Sequence, residues 1–103
     1  MNLSEVRRNT PKEHVIKALK DKNACREAIR WAKGTTAKTA QGLWNSCPRG
    51  IWMEWLCRQI GDKETALALS LWVDAYMAKM LSEEDVEKQI ANAIRREWES
   101  PWL

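Results

Sequence analysis

The chain has 103 residues, 45% of them apolar and 30% charged, with seven Trp, one Tyr, no Phe and a formal charge of +3. That length is one small domain burying roughly 65% of its unfolded surface, and the composition is too apolar for a disordered chain. No apolar run approaches the roughly 18 residues of a membrane span, and "MNLSEVRRNTPKEHV" has no apolar stretch behind its basic pair, which excludes a signal peptide and predicts a cytoplasmic protein without membrane contact.

Residues 1–10 are expected to form a loose N-terminal arm. In "TPKEHVIKALK", Thr10 as N-cap, Pro11 at the first helical position and Glu13 as the partner of a capping box predict a helix over 11–20. "NACREAIRWAKG" predicts a second helix capped by Asn23 and stopped by Gly34, with Cys25, Ala28, Ile29 and Ala32 turned inward. Its other side carries Arg26, Arg30 and Lys33 at i, i+4 and i+7. Like-charge repulsion makes such a stripe slightly unfavourable for the helix alone. A third short helix is expected from a Thr36 cap, with Ala37, Ala40, Leu43, Trp44 and Cys47 on one side and Pro48 and Gly50 ending it.

From Ile51 to Ile60 the spacing puts Trp52, Trp55, Leu56 and Ile60 on one face and Met53 and Cys57 on the next, leaving Glu54 and Arg58 for water. A helix so apolar around its circumference is packed on several sides and forms the middle of a core. "DKETALALSLWVDAYMAKML" starts on Asp62 as cap and predicts a second central helix running to about Leu81, with Trp72, Tyr76 and Met80 along one side and Met77 filling the core. "SEED" announces the last helix, with Ser82 as cap and Asp85 in the first turn. Val86, Ile90, Ala93, Ile94 and Trp98 make its buried stripe, and Pro101 ends it beside Trp102. An all-α single domain of about five to six helices follows.

The cysteines, Cys25, Cys47 and Cys57, are three in number and without C-x-x-C spacing, so they are read as reduced core thiols and no metal site is expected. His14 has no carboxylate to orient it, and only Cys47, ahead of Pro48 and Arg49, resembles a nucleophile near a helix start. The chain is accordingly read as a non-enzyme with no cofactor. Charge is uneven: residues 1–60 carry twelve Lys/Arg against five Asp/Glu, +7, and residues 61–103 carry five against nine, −4. The partner-binding candidates are the stripe of Arg26, Arg30 and Lys33, then Lys38, Arg49 near a helix start, and Trp102 at the chain end.

"ACREAIRWA" followed by "LWNSCPRGIWMEWLCRQIG" resembles a group of small helical phage and bacterial proteins, some labelled immunity proteins, with the pattern A-C-x-x-A-x-x-W and, further on, C-x-R-G-D-W-M-x-W-L. Ala24, Cys25, Ala28, Trp31, Trp44, Cys47, Arg49, Gly50, Trp52, Met53, Trp55 and Leu56 match, while Ile51 stands where the pattern has Asp, removing a carboxylate that would cap the next helix and pair with Arg49. The resemblance implies a phage-encoded module acting in the host cytoplasm by binding a host or defence protein as modulator or inhibitor. The alternative partner is nucleic acid, held by the basic stripe with Arg7, Arg8, Lys12 and Lys38.

Overall fold

A computed structural model describes residues 2–79 and 86–102 of the chain. Among them the backbone forms a 3₁₀ turn at Leu3–Glu5 and six α-helices: α1 (Lys12–Asp21), α2 (Arg26–Gly34), α3 (Ala40–Ser46), α4 (Gly50–Ile60), α5 (Lys63–Lys79) and α6 (Val86–Glu97). The all-α class matches the expectation from periodicity. The expected Ser82 cap, Asp85, Met80 and Leu81 lie outside the described residues. Contacts gather the chain into two compact units, Met1–Ser46 with Trp102–Leu103, and Cys47–Pro101.

The first unit begins with a docked segment where a loose arm was expected. "NLSE" makes a capping box: the Asn2 side chain accepts from the Ser4 N–H at 3.0 Å and Glu5 Oε1 accepts from the Asn2 N–H at 3.3 Å. The turn this closes delivers Leu3 and Val6, 0% and 2% exposed, into the core. Thr10 is buried too, but its hydroxyl accepts from the Arg7 N–H at 2.8 Å and does not cap α1, so the capping box expected with Glu13 is not formed. The Thr10 carbonyl instead accepts from the Ala40 N–H, beside bonds from Lys12 to Lys38 and Gln41 to Arg8, which pair residues 8–12 with 38–41.

Asn23 ends α1 rather than capping α2. At φ 60° it occupies the left-handed region that Asn tolerates better than most residues. Its N–H reaches the Lys20 carbonyl and the Ala24 N–H reaches that of Leu19, the paired bonds of a Schellman stop. Cys25 is thereby left as the N-cap of α2, exposed, where an inward thiol was expected. α3 starts three residues later than expected, because Thr39, not Thr36, caps it: its hydroxyl accepts from the Gly42 N–H at 3.1 Å. α1 packs on α2 and α3 through Val15, Ile16, Ala18, Ile29, Ala32, Ala40, Leu43 and Trp44.

In the second unit α4 packs on both α5 and α6, as its nearly all-round apolar sequence predicts. Met53, Leu69, Val73, Ile90 and Ile94 are each at most 1% exposed, and each such side chain stabilises the fold by about 1.5 to 3 kcal/mol relative to exposure. Asp62 caps α5 as expected, accepting from the Thr65 N–H and hydroxyl at 2.8 Å each, and the Thr65 N–H holds its carboxyl below the usual range. Trp72 stacks at 5.2 Å on Tyr76 and meets Trp98 edge-on at 5.2 Å.

Three expectations fail in this unit. Trp52 and Trp55 are only half-buried. Glu54, expected in water, is 7% exposed: it accepts from the Ser70 hydroxyl at 3.0 Å and pairs with the exposed Arg58 at 3.4 Å, so the polar edge of α4 is folded in with its partners. α5 is not a central helix. Only Leu69 and Val73 are buried on it, while Leu67 at 62%, Leu71 at 61% and Met77 at 38% are exposed.

Candidate functional site

The basic stripe on α2 survives folding as an open surface. Ile29 and Ala32 turn inward, while Arg26, Arg30 and Lys33 are exposed along one flank of the helix and Glu27 is exposed on its far side. Among the described residues none of these three has a carboxylate at ion-pair distance. Lys33 has a cation for a neighbour instead. Amine hydrogen bonding with Lys33, and then like-charge repulsion from it, lower the pKa of Lys20 from its ordinary value.

The remaining basic candidates divide. Lys38 is exposed. Lys12 closes the C-terminal end of α2, its ammonium donating to the carbonyls of Thr35 at 2.9 Å and Lys33 at 3.4 Å, where a cation complements the macrodipole. Arg7 donates to the carbonyls of Ser4 and Val6, and Arg8 to that of Trp102 at 3.1 Å. Those three are committed to holding the fold. The unit containing α2 carries ten Lys/Arg against four Asp/Glu, +6, whereas the Cys47–Pro101 unit carries seven against ten, −3.

Arg49 and Trp102, both expected at a partner surface, serve internal roles. The "CPRG" junction is clamped by α6 at both ends. Glu87 Oε2 accepts from the Ile51 N–H at 3.2 Å, at the N-terminal end of α4, and pairs with Arg49 Nε at 3.4 Å. Two turns further along α6, Arg95 donates to the Cys47 carbonyl at 2.7 Å. The Arg49 guanidinium also lies 5.0 Å over the Trp52 ring. Glu87 thus supplies from a distant helix the carboxylate that Ile51 does not, capping α4 and pairing Arg49. Trp102 is 2% exposed, and its indole N–H is buried without an acceptor among the described residues. A ring so enclosed is not offered to a partner.

The thiols show the same commitment to structure. Burial pushes Cys57 up to about 12, with the Glu54 carboxylate adding to it. Cys47 is raised mainly by desolvation, opposed by the backbone of Arg49 and the nearby Arg95, and its thiol donates to the Arg49 carbonyl, which also favours the protonated form and makes it a poor nucleophile. In the folded protein one thiol, Cys25, is expected to react with a thiol reagent at neutral pH, and Cys47 and Cys57 only after denaturation. Rapid labelling of Cys47 in the native state would restore it as a reactive group. His14 is exposed, and among the described residues no three His, Cys, Asp or Glu side chains gather as a metal site. Among the same residues no helix is long and apolar enough to cross a membrane.

Comparison with protein-family models, with curated proteins and with solved structures finds no match for this chain. What the sequence did not reveal is the clamp of Glu87 and Arg95, which lie 36 and 48 residues from the backbone groups they hold. The exposed face of α5 was missed because leucines at helical spacing carry no mark of which side is covered.

Proposed function

We propose that this protein is a non-enzymatic binding protein and that the outer face of α2, built from Arg26, Arg30 and Lys33, docks on an acidic surface of another protein whose activity it modulates. What carries the proposal is the absence of any carboxylate partner for these cations among the described residues, in a unit of charge +6. A solvated stripe next to counter-charge would need no partner. Here the neighbouring ammonium of Lys20 adds repulsion that an anionic surface relieves. A host or defence enzyme is the class of target that the resemblance of the "ACREAIRWA" and "CPRGIWMEWL" segments implies, with the protein as its inhibitor in the host cytoplasm. With Arg49 and Trp102 engaged internally, α2 and Lys38 are the candidate residues that remain.

The second reading is a phosphate backbone, which an open row of exposed cations suits as well as an acidic protein surface does. An affinity capture from host lysate, run with and without nuclease, separates the two. The expected result is a stoichiometric protein that survives nuclease with the wild type and is lost with Arg26→Glu/Arg30→Glu/Lys33→Glu. Charge reversal at these exposed positions is expected to leave the melting temperature nearly unchanged and to weaken partner binding at least tenfold. Recovery of nucleic acid alone, or unchanged capture by the triple variant, would overturn the protein-docking proposal.

A further inference from the structure

α5 turns opposite faces to the core and to solvent. Leu69 and Val73 are 0% and 1% exposed, and on the far side of the same helix lie Leu67 at 62% and Leu71 at 61%. With 100° per residue, Glu64, Leu67, Leu71, Ala75 and Ala78 fall within a narrow stripe centred opposite the buried pair, with Ala68 beside it. All six are exposed. The centre of this stripe is apolar beyond Glu64 in its first turn, and charges flank it: Asp74, exposed as far to one side as Ala68 is to the other, and Lys79 at the last turn. Isolated exposed leucines need no explanation, whereas two of them aligned with three alanines along one helix face form a continuous contact surface.

We infer that this face docks on the same face of a second copy of the chain, running antiparallel about Leu71. The distribution of charge and size selects that occupant. Under a two-fold axis at the height between residues 71 and 72, the Leu71 side chains of the two copies lie side by side at the centre, Ala68 meets Ala75, and Glu64 of each copy meets Lys79 of the other on the same side of the seam. A parallel pairing would set Glu64 against Glu64 and Lys79 against Lys79. The facing alanines let the two backbones approach closely while the leucines fill the centre, and the antiparallel arrangement also opposes the two macrodipoles favourably. A seam of one helix per copy is small by interface standards, so the dimer is a concentration-dependent one. It is independent of the binding proposed for α2, and it would present that basic face twice in one particle.

Sedimentation equilibrium of the full chain over a concentration series tests this. The mass is expected to rise from that of a monomer to that of a dimer with concentration. Leu71→Glu is expected to remain monomeric throughout with an unchanged melting temperature, because the side chain it replaces is already in solvent. Glu64→Lys and Lys79→Glu are each expected to weaken the dimer several-fold, and the double charge swap to restore it, since it rebuilds both cross-pairs. A wild-type chain that stays monomeric at every concentration overturns the inference. So does a dimer indifferent to Leu71→Glu, or one that the double swap fails to restore.

Discussion

Gly50→Ala is expected to destabilise the protein by about 3 kcal/mol, a fall of roughly 10 to 15 °C in Tm for a chain of this size. A Cβ at Gly50 would collide with Ile90 Cγ2 and lie 2.7 Å from Ile90 Cβ and 3.2 Å from the Ala91 nitrogen. Ile90 is 0% exposed and has nowhere to turn, and the backbone at Ala91 moves only if α6 moves with it. The hydrogen bonds from α6 to the junction resist that shift: the Ile51 N–H on Glu87 and the Arg95 guanidinium on the Cys47 carbonyl both depend on the present spacing. Whatever Ala gains in helix propensity is below about 1 kcal/mol and does not offset the clash. Chemical denaturation of Gly50→Ala, Ile90→Ala and the double variant checks the cause. Removing Ile90 Cγ2 relieves the closest contact, so the double variant should be more stable than the two single losses add up to, by about 1 to 2 kcal/mol. Strict additivity, or a neutral Gly50→Ala, would show that α4 and α6 have slack at this point.

The character of α4 was legible because "GIWMEWLCRQI" offers almost no polar side, and such a helix has to be enclosed whatever its neighbours are. Its fine structure was not. Periodicity assigns Glu54 to water, yet Ser70 on α5 and Arg58 one turn along satisfy the carboxylate inside. Likewise the reason for Gly50 is Ile90, 40 positions away in sequence, and no local rule connects them. α5 failed in the opposite sense: an apolar composition was read as burial, but a helix at the edge of a three-helix group has only one covered side, and the sequence does not say which helix is at the edge.

Helix ends show the same division between local and tertiary information. Asp62 capped where expected because the bond it makes, to Thr65 three residues on, is contained in the sequence. Thr10 did not, since a competing donor, the Arg7 N–H, takes its hydroxyl and the Ala40 N–H takes its carbonyl. For the candidate surface, the stripe of Arg26, Arg30 and Lys33 was readable from i, i+4, i+7 spacing alone, because an amphipathic helix leaves no other side for it. The roles of Arg7, Arg8 and Lys12 were not, as each is fixed by a backbone carbonyl that the fold brings within reach.

Trp102→Ala is expected to cost about 3 to 5 kcal/mol, an effect out of proportion to a position next to the chain end. The ring is 2% exposed and belongs with the first unit, which is otherwise built almost wholly from the N-terminal 46 residues, so its loss opens a cavity in a core built from helices at the other end of the sequence. The Trp102 carbonyl also receives the Arg8 Nε hydrogen bond at 3.1 Å, so deleting residues 102 and 103 should be worse than the alanine variant, because that acceptor goes too. Trp102→Phe distinguishes packing from polarity. It keeps most of the apolar contact and removes an indole N–H that is buried without an acceptor among the described residues, so its cost is expected within about 1 kcal/mol of zero. Denaturation followed by far-UV dichroism ranks the three. If Trp102→Ala melts with the wild type, the ring is dispensable to the first unit and returns to the set of residues available to a partner; if Phe costs as much as Ala, the indole N–H has an acceptor on which the packing depends.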